Sequence, residues 1–410
     1  MCKSNDTVGS PYQQRGVALL ALLTLLSLFG LYFFVGQLSA TQFQMAREEK
    51  SAAALAEARQ ALIDEAVTRV SINDAGYLPL PDLGERFGLP TEGEASPNFA
   101  GNGKDLSVVG KFPWKTMDTG LLRDSAGQCL WYVVSGRLQR DVKTDALNWD
   151  TLGQIDVINA NGAFLAVNLA ALLVSPGSAL DGQSRALADA AYTECGGNYD
   201  ARNYLDAFDS TNALAGQVNY YADSTNHRVA SDSNNKQFVM VASYPHYNDR
   251  FTFLSVGQIF DPLIRRRDFR DAIGNLLDDV TFRAHLQTIV VAGSKGTDNL
   301  VCTSATGADN RELCKNWKER LFLAQLPSPS QITIDGGLSF TVCNRVLIFA
   351  GRRTAGQSRS TATEKANPAN YLEGVNATSF NVPTASATDF AGASVFNWRT
   401  PATDLLRCLP

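Results

Sequence analysis

The sequence predicts an α+β protein. Its parts are a long N-terminal transmembrane spine helix, an antiparallel β-sheet on which that helix packs, and a large β-rich extension. Three observations predict this. Residues 17–38 read VALLALLTLLSLFGLYFFVGQL and contain no charge. Beyond them, no proline falls between Pro11 and Pro79 and no glycine between Gly36 and Gly76, so one helix can continue to about residue 72. After Pro79 the chain changes to short apolar runs separated by Gly, Pro, Asn and Asp, the pattern of strands and turns.

The apolar run is roughly 33 Å long at about 1.5 Å per helical residue, enough to cross a bilayer. Lys3 and Arg15 precede it against a single acid, Asp6, which predicts a cytoplasmic N-terminus and an exported body. A cleaved secretory signal fits less well. The run exceeds a usual signal core of about 7–15 residues, and only Ser39-Ala40-Thr41 offers small residues behind it. Residues 39–75 continue as an Ala-, Leu- and Glu-rich amphipathic helix. Leu55, Leu62, Ala66 and Val70 fall on one stripe with Ile63 beside it, while Glu49, Glu57, Arg59 and Asp64 stay polar. Asn73-Asp74-Ala75-Gly76 ends it, and Pro79 and Pro81 prevent a restart.

Residues 76–145 begin with a loop rich in Gly, Pro and Asn. A turn at Asp124 and Gly127 follows, then the strand Cys129–Val134, with Trp114, Trp131 and Tyr132 expected in the core. Residues 146–410 are predicted to form the extension, and they repeat themselves loosely. An apolar strand and Gly182-Gln183-Ser184-Arg185 precede Asn203-Tyr204-Leu205-Asp206. A second strand and Gly356-Gln357-Ser358-Arg359 precede Asn370-Tyr371-Leu372-Glu373. Arg185 with Asp206, and Arg359 with Glu373, are expected to pin each loop to a strand end; a duplicated ligand-binding loop is the alternative. Arg265, Arg266 and Arg267 alternate with Asp261, Asp268 and Asp271, which reads as a solvated helix face.

Composition narrows the function. The net charge is −5; the first sixteen residues carry +1, leaving −6 for the rest, so nucleic acid is not an expected partner. Of the seven cysteines, Cys2 precedes the apolar run, and Cys129, Cys195, Cys302, Cys314, Cys343 and Cys408 follow it. An even set beyond a membrane suits disulfides in an oxidising space. Spacing does not fix the connectivity; Cys302–Cys314 as a local loop, Cys343–Cys408 and Cys129–Cys195 is the pairing we expect. No CxxC pair is present, and with three histidines a zinc site is not expected. No cofactor is expected. Asp223, Asn226, Asp232 and Asn234 offer oxygen ligands for Ca²⁺ but lack EF-hand spacing, so an exposed loop is the favoured reading.

No catalytic motif is present. GxSxG and HExxH are missing, Gly101-Asn102-Gly103-Lys104-Asp105 lacks the spacing and hydroxyl of a phosphate loop, and His227, His246 and His285 are scattered. The sequence therefore reads as a structural or binding protein and not as an enzyme.

The start of the chain resembles the type IV pilin and pseudopilin family. A short basic leader ends in Arg15-Gly16, and Val17 opens the apolar helix. The resemblance is strong over residues 13–75 and weaker to about 136, where an Asp-x-x-Gly turn before an aromatic strand is also similar to pseudopilins. It implies that residues 1–16 are a leader, that a membrane prepilin peptidase cuts between Gly16 and Val17 and methylates the new terminus, and that the helix then packs with other pilin subunits. The location implied is the bacterial inner membrane, with the body in the periplasm and a place in a pilus or pseudopilus. Most members carry glutamate at the fifth mature position, where this chain has Ala21. Arg15-Gly16-Val17-Ala18-Leu19-Leu20 is similar to the large K-type minor pseudopilins of type II secretion, which also lack that glutamate. The expected function is thus a minor pilin-like subunit at or near a filament tip. The alternative is a single-pass anchored periplasmic binding or adhesion protein.

Overall fold

The structure is a computed structural model that describes residues 13–84, 92–97, 99, 106–140, 146–186, 194–195, 197–207, 217–220, 235–241, 247–289, 301–339, 341–381 and 390–410. The four oxygen-bearing residues weighed for calcium lie outside these, as do His227, His246 and residues 101–105. The fold is mixed α+β with an N-terminal apolar helix and mainly antiparallel sheets. The chain divides into two compact units, residues 1–53 and 54–410.

The first unit holds most of helix α1, Gln13–Thr68. From Gly16 to Phe33 every residue is exposed and the mean hydropathy is 2.2. Thr24 and Ser27 return their hydroxyls to backbone oxygens one turn earlier, at 2.9 and 3.0 Å, so neither hydroxyl is left unmet along this stretch.

The second unit opens on the last turns of α1. Ala54, Leu55, Ala58, Leu62 and Ala66 are buried in the largest core cluster. Helical spacing puts these small and branched residues on one side, and the three alanines admit close approach of the neighbouring sheet. The helix stops at Thr68, short of the expected residue 72, so Val70 leaves the stripe and is 97% exposed. Gly76, at φ +92°, returns its N–H to Ala66 at 2.8 Å and closes the end.

The first sheet contains β1 (Val108–Lys111), β2 (Trp131–Val134), β3 (Ile155–Ile158), β4 (Phe164–Ser175), β5 (Lys236–Val239) and β6 (Arg250–Ser255). The strands alternate faces. Tyr132, Val134, Ala171 and Leu173 join the core that holds α1, whereas Trp131, Val133, Leu172 and Val174 face a second cluster under Tyr204 and Leu205. Trp131 and Tyr132 are therefore core residues, as expected. The sheet joins strands on both sides of residue 145: β2 pairs with β4 across it.

Helices α2 (Val256–Leu263), α3 (Arg267–Leu277), α4 (Val280–Thr288) and α5 (Gly307–Trp317) follow, so the extension is not built of strands alone. Then come β7 (Leu321–Ser330), β8 (Thr333–Ile334), β9 (Gly337–Leu338), β10 (Cys343–Phe349), α6 (Ala362–Ala366), α7 (Gly374–Asn381), β11 (Ala391–Gly392) and β12 (Leu405–Leu409). Strand β10 lies antiparallel between β7 and β12, just as β4 lies antiparallel between β2 and β6. The short strands match too: β8 runs parallel to β11, and β3 parallel to β5. Residues 131–255 and 321–409 are thus two copies of one strand plan. The duplication glimpsed in two tetrads extends to whole sheets. Leu323, Leu347 and Phe349 share the α1 core, and Phe322, Val346 and Ile348 face a third cluster with Tyr371 and Phe380.

Candidate functional site: the apolar helix and two arginine corners

The processing pair of the sequence reading, Gly16 and Val17, sits near the start of α1, with Val17 71% exposed. A Cβ on Gly16 would meet nothing within 4 Å. The following helix is long and apolar enough to cross a membrane. It presents Leu, Phe and Tyr outward with no charged residue between Val17 and Phe33. Such a surface is stable in lipid or against other apolar helices, and costly in water.

Each sheet copy ends its central strand in an arginine corner. In the first, Arg185 Nε donates to Asn203 O at 2.8 Å and its Nη1 to Gly177 O at 2.7 Å. Its Nη2 reaches Gln183 Oε1 at 3.0 Å and Tyr204 O at 3.4 Å, and the guanidinium lies 4.7 Å from the centre of the Tyr204 ring. In the second, Arg359 makes the same bonds to Asn370 O (2.5 Å), Gly351 O (3.4 Å), Gln357 Oε1 (3.1 Å) and Tyr371 O (3.4 Å), and stacks 4.4 Å from Tyr371. Local chemistry explains why both tetrads fold this way. Ser184 and Ser358 donate their N–H to Asn203 Oδ1 and Asn370 Oδ1, and Asp200 and Asn367 cap the turns that lead to Tyr204 and Tyr371.

The expected pairing of arginine with the acid of its own copy is corrected. Neither Arg185 with Asp206 nor Arg359 with Glu373 forms an ion pair. The fork of donors is taken by backbone carbonyls at the strand end, which together satisfy more of the guanidinium N–H groups than one carboxylate could. Asp206 works instead on backbone amides. Asp206 Oδ2 accepts from Asn248 N at 2.6 Å and Asp249 N at 3.0 Å. A second acid in each copy was missed in the sequence. Asp249 accepts from Asp206 N (2.8 Å) and Asn219 (3.1 Å), and Asp404 accepts from Asn376 (2.8 Å) and Gly351 N (3.1 Å). Asn219 and Asn376 fill the same place, yet stand thirteen and three residues beyond their tetrads, so no fixed spacing reveals them.

Electrostatics follow burial. Desolvation, followed by the charge of Asp206, raises Asp249 well above the usual carboxylate range. Desolvation raises Asp206 and Asp404 as well. It also pushes Glu373 up to about 7, with Asp404 adding to the effect. Arg359 is lowered to about 10 by burial. Behind it lies a fastener between the copies. Asp150, from the β2–β3 connection, pairs with Arg359 Nη1 at 2.8 Å and with Arg320, and all three side chains are at least 94% buried.

The six cysteines form three disulfides, Cys129–Cys195, Cys302–Cys314 and Cys343–Cys408, with Cα separations of 5.6, 5.4 and 5.2 Å. They are the pairs expected from the sequence. The Asp-x-x-Gly turn is also present: Asp124 Oδ1 accepts from Ala126 N and Gln128 N at 2.9 Å, and Gly127 takes φ +80°. The arginines of both corners are satisfied by backbone carbonyls, an arrangement that holds loops. Among the described residues, no group of three His, Cys, Asp or Glu side chains could hold a metal ion. Comparison with protein-family models, curated proteins and solved structures finds no match to this chain.

Proposed function

We propose that this chain is a minor pilin-like structural subunit of a type IV pilus or type II secretion pseudopilus, held in the bacterial inner membrane with its body in the periplasm. The single observation that supports it is helix α1. Directly after Arg15-Gly16 it offers an uncharged, fully exposed apolar surface, and its last turns seat small residues in a core shared with an antiparallel sheet. A helix of that kind can exchange lipid for sister helices through close packing of Leu with small Ala, Ser and Gly. Ala21 supports a tip position. A repeating subunit would need the carboxylate to meet a neighbour's terminal ammonium, because an unpaired charge in an apolar filament core costs several kcal/mol.

Mass spectrometry of the protein recovered from its native membrane tests the reading. The expected species starts at a methylated Val17. An intact Met1 in cells that have an active prepilin peptidase overturns it and returns the chain to the class of anchored binding proteins.

A further inference from the structure

Helices α2 and α3 meet a turn of the second copy at a cationic cleft that the subunit role does not use. Its volume is about 450 Å³, and its walls are Arg265, Arg266, Arg267 and Arg270 on one side and Val395, Phe396 and Trp398 on the other. Two acids answer the four arginines. Asp268 is taken by Arg266, and Asp271 is shared by Arg267 (3.3 Å) and Arg270 (3.0 Å). The walls are left at +2. Arg399, next to Trp398, raises this to +3. Asp261, the third acid near the triplet in sequence, pairs with Arg352 at 2.5 Å.

Two arginines are conspicuous. Arg265 and Arg399 have no carboxylate within 4 Å among the described residues; both lie against the Trp398 ring, at 5.2 and 5.1 Å from its centre. Trp398 itself is 42% exposed and Val395 56%. Helix α3, eleven residues long, begins at this cleft, and its N-cap Arg266 makes no side-chain cap. Asp268 in its first turn accepts from Phe269 N at 3.0 Å, so the positive charge of the cleft comes from the arginines themselves.

We propose that this cleft binds a phosphate group. A charge of +2 to +3 suits a phosphate of about −1.5 to −2 better than a single carboxylate, and guanidinium forks match its oxygens. The exposed Val395 and Trp398 surface accommodates the organic part of a phosphate ester. The phosphate can come from a free ester or from an anionic lipid headgroup, and the experiment separates these sources.

The full-length protein, in neutral detergent, is titrated with inorganic phosphate by calorimetry. In parallel it is presented with phosphatidylglycerol and phosphatidylcholine, and bound lipid is counted by native mass spectrometry. The double variant Arg265→Ala/Arg399→Ala removes the two cations without carboxylate partners and should melt within a few degrees of the wild type. Binding of phosphate, or of phosphatidylglycerol over phosphatidylcholine, is expected to weaken tenfold or more in the variant. Phosphate binding assigns a free ester, and binding of the anionic lipid alone assigns a headgroup. The proposal fails if the wild type binds neither probe, or if the variant binds as well as the wild type.

Discussion

The two sheet copies share a frame but fasten it differently. In both, a central strand ends two residues before a glycine, Gly177 or Gly351, whose carbonyl receives the arginine. The glycine N–H goes to different acids. Gly351 donates to Asp404 of its own copy at 3.1 Å, whereas Gly177 donates at 2.8 Å to Asp124, in the turn before β2. Asp249, the counterpart of Asp404, is left with Oδ1 unpartnered. The arginines diverge as well. Arg359 reaches out of its copy to Asp150, while among the described residues Arg185 bonds within its own. The first copy is thus latched to the strand turn beside it, and the second to the first. The difference teaches that hydrogen bonds to the backbone define the repeated unit, and that buried charge sets how copies attach.

The largest expected effect comes from breaking that attachment. Asp150→Asn leaves Arg320 and Arg359 buried without their ion-pair partner, so unfolding free energy measured in denaturant should fall by about 3–5 kcal/mol. A change under about 1 kcal/mol would mean that water already solvates the pair. Removing one disulfide per copy sharpens the comparison. Cys129–Cys195 and Cys343–Cys408 span 66 and 65 residues, so the loop-entropy model gives them equal weight, about 4 kcal/mol each. Double Cys→Ala variants of the two should therefore lose similar stability; a gap well beyond 1 kcal/mol would show that one copy leans on its bridge more than the other.

Much of this frame was legible in the sequence. The apolar run of α1 was visible because lipid-compatible helices need long uncharged segments, and the Asp124 turn because Gly127 supplies a positive φ that other residues resist. The tetrads were visible because their contacts are local. What stayed hidden was long-range. Asp150 meets Arg359 across 209 residues, and Asn219 and Asn376 are displaced by loops of unequal length. The pairing of arginine with the nearest acid was misjudged because strand-end carbonyls, which carry no sequence signal, compete for the same donors.

Arg185→Ala and Arg359→Ala test whether the corners are equivalent. Each removes donors from buried carbonyls, and a loss of about 1–3 kcal/mol is expected for both. Arg359→Ala should cost less than Asp150→Asn, because it leaves Asp150 and Arg320 as a neutral pair. If it costs as much, the carbonyl bonds and not the charge balance hold the copies together.

The smallest effect is on pH. Glu373 is raised by burial and by Asp404 to about 7, against 4.5 ordinarily, so the folded state favours its protonated form. Its contribution to stability is then fully present below about pH 4.5 and is lost as pH rises through about 7. Asp206, its counterpart, is also raised, by burial. The sign is therefore the same in both copies. Glu373→Gln should flatten the fall in melting temperature between pH 5 and pH 8 and leave the protein more stable at the upper end. An unchanged slope would place the neutral-range titration elsewhere, and Asp249→Asn, on the acid raised furthest in the first copy, is the variant that would then locate it.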